Sequence, residues 1–123
     1  MKYKVEHFTE LREEFSNNTE LLRKLMESFL RNIPLLAKDF ENKLLTKDFE
    51  GMEKSVHKLK GAIGNIKAKE IYNLVEKVED AVKNHNYEKT INQFSKFENE
   101  LSNLKINLKS FLDTQNTHKA PLK

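Results

Sequence analysis

Apolar residues recur at spacings of three and four along most of this chain, and the rhythm breaks at short polar stretches. That is the period of a helix, and no stretch shows the strict alternation of a strand. Phe8, Leu11 and Phe15 predict a short helix within residues 1–15, covering one end of the fold. Ser16-Asn17-Asn18-Thr19 then forms a polar break full of N-cap residues. The next helix carries Leu22, Leu25, Phe29, Ile33, Leu36 and Phe40. Pro34 lies inside it, where a proline lacks the N–H and collides with the preceding turn. The apolar period continues in phase beyond Pro34, which predicts one kinked helix to about Leu44; a break into two helices is the alternative.

Thr46-Lys47-Asp48 supplies the next cap, before a helix with Phe49, Met52, Val56, Leu59, Ile63 and Ile66 on one stripe. Residues 64–68 make a turn. Ile71, Leu74, Val75, Val78 and Val82 define a further helix, which Asn84-His85-Asn86 ends. The last helix carries Tyr87, Ile91, Phe94, Phe97, Leu101, Leu104, Leu108 and Phe111. Those spacings alternate between three and four as in a coiled-coil seam, though ordinary bundle core gives the same stripe and is the reading adopted. Residues 114–123 are polar and are expected to form a disordered tail. Four long amphipathic helices with short connections predict an all-α fold. We expect an antiparallel up-down-up-down four-helix bundle over residues 1–113, with a short extra N-terminal helix.

At 123 residues the chain is one domain by length, 33% charged and 37% hydrophobic. It has no cysteine, which excludes disulfides and thiolate chemistry and fits a reducing compartment. No apolar run approaches a membrane span, and no apolar signal core follows Met1-Lys2-Tyr3-Lys4, so a cytoplasmic location is expected. The formal net charge of +3 raises nucleic acid as a partner. Acidic and basic residues are interspersed nearly everywhere, however, so a solvated helix surface is the better reading and no nucleic acid is expected. The one local excess is Lys54, Lys58, Lys60, Lys67 and Lys69, a patch suited to docking on an acidic pocket.

That patch surrounds Val56-His57-Lys58-Leu59-Lys60-Gly61-Ala62-Ile63-Gly64-Asn65. At about 100° per residue, His57 falls well outside the apolar stripe. Glu53, Lys54, Lys60, Gly61 and Gly64 lie within about 60° of it on the same wheel. Two of the chain's three glycines therefore share a helix face with a histidine. Each costs roughly 1 kcal/mol relative to alanine in a helix interior. A partner closing over His57 would explain both; close helix packing, or a helix ending at Gly64-Asn65, is the alternative. Clearance is the better reading for Gly61, while Gly64 is evenly poised.

Other chemistries find little footing. There is no Gly-x-x-x-x-Gly-Lys loop for a nucleotide, and no serine or cysteine nucleophile signature. A di-iron bundle needs paired Glu-x-x-His motifs; Glu53 to His57 has the wrong spacing and no second copy. His7, His85 and His118 fall in end or loop segments and read as solvent histidines. No metal site is expected.

The run His57-x-Leu59-Lys60-Gly61-Ala62-x-Gly64-Asn65, followed by Ala68, Ile71, Leu74, Val75 and Val78-Glu79, resembles the histidine phosphotransfer (HPt) family. The likeness extends from about Leu21 to Leu112. It departs at Lys67, where members often have glycine, and at Val78, where they have leucine. HPt domains carry a phosphoryl group on a histidine between the aspartates of two receiver domains. The resemblance implies that His57 is the phosphoacceptor and that Lys60, one turn later, stabilises phosphoryl charge; without the motif around it, Lys60 would read as a solvated lysine in a lysine-rich chain. It also implies that Glu79, where members commonly have Gln or Glu, orients His57 by accepting from one ring nitrogen. On the wheel Glu79 sits at the edge of the core stripe, so an ordinary boundary glutamate is its alternative. Lys54, Lys58, Gly61 and Gly64 would form the docking face.

The resemblance further implies a phosphocarrier in two-component signal transduction, without ATP-dependent kinase activity. No cofactor is expected, the Mg²⁺ belonging to the partner receiver. The partners would be response-regulator receivers or a hybrid sensor histidine kinase, and the chain a monomer. The competing reading is a non-catalytic helical interaction module, in which the stripe over residues 87–111 pairs with a partner helix.

Overall fold

The computed structural model describes residues 18–119 apart from Lys67, with the side chains of Thr19 and of residues 114–119 set aside. Four helices follow one another: α1 (Thr19–Leu45), α2 (Phe49–Gly64), α3 (Lys69–Lys83) and α4 (Tyr87–Lys119). The expected N-terminal helix over residues 1–15 lies outside the described residues.

Local chemistry sets most boundaries. Asn18 Oδ1 accepts from the Leu21 amide at 3.1 Å, and Asp48 Oδ1 accepts from the Gly51 amide at 2.9 Å. Asn86 Oδ1 does the same for Lys89 at 3.1 Å. Each satisfies an amide that the first turn of a helix leaves without a partner. Gly51 explains itself here: a Cβ would run into the capping Asp48 carboxylate and the Lys43 side chain. α1 is continuous through Pro34, so the alternative of two separate helices does not hold. α4 runs on to Lys119, so the polar segment expected as a tail from Thr114 begins inside a helix. Each added residue gains one bond once a helix is running, and nothing before Pro121 interrupts it. Residues 120–123 lie outside the described residues.

Each helix packs on the next, and α4 closes on α1. Contacts along the seams run in reverse order. Phe49 at the start of α2 stacks on His85 beyond the end of α3, at 4.6 Å between ring centroids. The C-terminal end of α2 meets the start of α3 where Gly64 faces Tyr72. At the end of α1, the Leu44 carbonyl accepts from the Tyr87 hydroxyl at 2.9 Å.

The core is one continuous cluster with contributions from all four helices. In α2 it takes Met52, Val56, Leu59 and Ile63 from the predicted stripe, and Phe49 is partly buried. In α1 the stripe is rotated from the expected one. Met26, Ala37 and Leu44 join Leu22, Phe29, Ile33 and Phe40 inside, while Leu25 and Leu36 are only partly buried. In α4 Ile91 is exposed and Thr90 is buried in its place. The Thr90 hydroxyl donates to the Asn86 carbonyl at 2.7 Å, which removes the cost of burying it. The remaining predicted α4 positions from Phe94 to Phe111 are buried, so that stripe is filled from within the chain.

Candidate functional site

α2 and α3 present the site between them. The α2 stripe turns Val56 and Leu59 into the core, which leaves His57, Lys58 and Gly61 facing outward. The His57 side chain is 77% exposed. On α3, Val75, Val78 and Val82 point inward and carry Glu79 with them, so that its side chain is only 8% exposed. Glu79 is therefore deeper than the stripe-edge position expected from the wheel.

A buried carboxylate needs partners, and Glu79 has two across the α2–α3 seam. Lys60 Nζ donates to Glu79 Oε1 at 2.7 Å. His57 Nδ1 lies 3.7 Å from Glu79 Oε2. The second distance exceeds the roughly 2.7–3.2 Å of a formed N–H···O bond, so it is an electrostatic contact. Each carboxylate oxygen thus faces one basic group.

The electrostatics follow from this geometry. Burial pushes the Glu79 carboxyl up; the Lys60 hydrogen bond and charge, the Lys83 charge and His57 outweigh it and leave the carboxyl below its ordinary range. Lys60 is held above the usual lysine range by its hydrogen bond to Glu79, with burial opposing. Both groups are charged at neutral pH.

His57 and Glu79 share an open groove with Glu50, Glu53, Lys54, Lys58 and Lys83. The predicted docking lysines Lys54 and Lys58 are thus brought to the histidine's side. Gly61 and Gly64 are exposed on the same face. A Cβ on Gly61 would meet nothing within 4 Å, so packing inside the fold does not require glycine there. A Cβ on Gly64 would make ordinary contact with Tyr72 at 3.4 Å, and its φ is not positive, so neither clash nor turn geometry demands glycine. Lys67 lies outside the described residues.

Sequence reasoning missed Lys83. Its signal was present: Glu79 and Lys83 are one turn apart on α3, a spacing that brings both to one face. His85 is not a second site; its ring is stacked against Phe49. Among the described residues no group of three or more His, Cys, Asp or Glu could hold a metal ion. None of the described helices is long and apolar enough to cross a membrane.

A helical fold with an exposed imidazole beside a cation-paired carboxylate defines a candidate carrier for an electrophilic group. The family model of the Hpt domain matches residues 24–106, and the chain belongs to that family. No curated protein and no solved structure matches it. Membership brings histidine phosphotransfer in two-component systems as the general function: Hpt domains are phosphocarriers, not kinases, and interact with receiver domains and kinases in phosphorelays.

Proposed function

We propose that this chain accepts a phosphoryl group on His57 from the aspartate of one receiver domain and passes it to the aspartate of another. The observation that carries this reading is the position of His57, exposed on α2 with Nδ1 toward the buried carboxylate of Glu79. In the Nδ1–H tautomer, Nε2 keeps its lone pair for attack. The Nε2–P bond forms as the bond from phosphorus to the aspartyl oxygen breaks. The aspartate leaves as a carboxylate, and the ring keeps its Nδ1 proton and gains positive charge. Glu79, 3.7 Å away, opposes that charge as it develops. The reverse sequence on a second receiver returns the imidazole to its starting state.

Lys60 sets the positive charge beside Glu79, to which it donates at 2.7 Å. Lys54 and Lys58 steer the acidic face of a receiver, and the bare backbone at Gly61 and Gly64 lets it close over His57. The Mg²⁺ of the reaction belongs to the receiver. The same reading includes an up-down-up-down course of the helices, supported by the reversed order of the seam contacts, and a cytoplasmic monomer.

The test uses two receivers. One is phosphorylated and freed of its donor, then mixed with the second receiver and this chain. Label should reach the second receiver with the wild type and stay on the first with His57→Gln. Equal passage with both chains would sink the relay. The rival reading, a helix-pairing module built on residues 87–111, loses ground because Phe94, Phe97, Leu101, Leu104, Leu108 and Phe111 are already buried.

A further inference from the structure

Lys60 has two possible tasks at this site, and the geometry separates them. A lysine one turn from His57 could turn outward to a phosphoryl group. In this chain its ammonium is instead held at 2.7 Å by Glu79, whose side chain is 8% exposed. If Lys60 left for a phosphoryl oxygen, a buried carboxylate would lose the one cation that is hydrogen-bonded to it among the described residues. Removing one partner of a buried pair is strongly unfavourable, because the other charge is left uncompensated. The groove meanwhile holds cations without a hydrogen-bonded carboxylate among the described residues: Lys54 and Lys58 line it, as does Lys83, whose charge reaches Glu79 only at longer range.

We infer that Lys60 is a positioning residue that acts through Glu79: it keeps the buried carboxylate ionised and aimed at the Nδ1 side of His57, so that its charge favours the Nδ1–H tautomer and leaves Nε2 free. The phosphoryl charge is then met from the groove rim, not by Lys60. A carboxylate at residue 79 makes this necessary. A neutral amide there could accept from Nδ1–H without a cation to sustain its charge. The glutamate reaches that state only with a positive partner, and Lys60 is the group in hydrogen-bond contact. The inference rests on His57 being the phosphoacceptor, but its core, the tautomer of the free imidazole, does not require phosphoryl transfer.

The test is a double-mutant cycle on the full chain with Lys60→Met, Glu79→Gln and the pair, read in two ways. The first readout is the ratio of His57 tautomers in the unphosphorylated chain, from imidazole ¹⁵N chemical shifts above the titration range of the ring. The wild type should hold mainly the Nδ1–H form. Lys60→Met should abolish that excess, and should leave the ratio unchanged when Glu79→Gln is already present. Lys60→Arg, which preserves the ion pair, should restore the wild-type ratio. The second readout is the rate of His57 phosphorylation by a phosphorylated receiver. Lys60→Met should slow it about tenfold alone and less than twofold in the Glu79→Gln background, the non-additivity expected of residues acting as a unit. Equal loss in both backgrounds would overturn the inference and give Lys60 direct contact with the phosphoryl group. A tautomer ratio unmoved by Lys60→Met would overturn it too. If no variant is phosphorylated, the proposed function fails and the tautomer arm still decides the role of Lys60. Far-UV circular dichroism in the same buffer restricts the comparison to folded variants.

Discussion

Along the α2–α3 seam a carboxylate is buried, and where α1 meets α4 aromatic rings pack together. Glu79 sits inside the first with Lys60 on one oxygen and His57 near the other. In the second, Phe40 and Phe94 pack at 4.7 Å between centroids, and Phe97 continues the stack at 5.9 Å. That seam also has a carboxylate, Glu98, but it is largely exposed and forms no ion pair with a described residue. Partial burial pushes its carboxyl up, Glu41 adds repulsion, and Lys38 offsets only part of this. The difference teaches how to read a charge in a small bundle. Rings hold the fold without directing chemistry. A buried charge adds little net stability, so one that is retained and doubly partnered points to a task.

The comparison can be broken at either seam. Phe97→Ala should have the largest effect on stability, about 3–5 kcal/mol in urea unfolding, because the ring is fully buried. At temperatures where that variant remains folded, it should still carry phosphate. A loss of transfer in a folded Phe97→Ala chain would show that the two seams are not separable.

Lys60→Met should cost less, about 1–3 kcal/mol at neutral pH, since Lys60 is itself partly exposed. The sign of the pH dependence is fixed by the pair. Glu79 is depressed in the folded chain, so its contribution is present above the carboxylate titration range and is lost as pH falls through the folded value. Lys60 is raised, so its contribution is present below the ordinary lysine value and is lost as pH rises through the folded one. Unfolding curves of wild type and Lys60→Met should therefore converge in acid and in strong alkali and lie furthest apart between. A gap independent of pH would mean that packing, not charge, is lost.

Gly61→Ala should move stability and function in opposite directions. A methyl group there meets open space, so the helix should gain about 0.5–1 kcal/mol. Receiver binding, followed by calorimetric titration, should weaken. Stabilisation with unchanged binding would remove Gly61 from the docking face. Glu98→Gln should have the smallest effect, a gain of about 0.5 kcal/mol or less at neutral pH, because the group is exposed and screened. With a raised carboxyl the native state is favoured at low pH and loses that advantage as pH rises through the folded value, so the gain should vanish in acid.

Much of this was legible in the sequence, and the departures have physical causes. Hydrophobic period located the helices and caps located their starts, because both signals are local. In α1, Leu25 and Leu36 outrank Met26 and Ala37 in hydrophobicity, yet the last two are inside. The rotation of a stripe depends on which neighbour the helix meets, and a single helix does not contain that. Thr90 was missed because its hydroxyl is satisfied one turn back, at Asn86. At the site, the wheel placed His57 outward. The depth of Glu79 and the choice of Lys60 as its partner depend on the register of α2 against α3, which only the packed bundle contains.

The most direct measurement locates the phosphate. The chain would be incubated with a panel of phosphorylated receiver domains and the modified residue mapped by ³¹P NMR and mass spectrometry, wild type beside His57→Gln. A single acid-labile phosphate on His57, bonded at Nε2 and absent from the variant, is the predicted result. A wild-type chain left unmodified by every receiver, or a label that persists in His57→Gln, would contradict it.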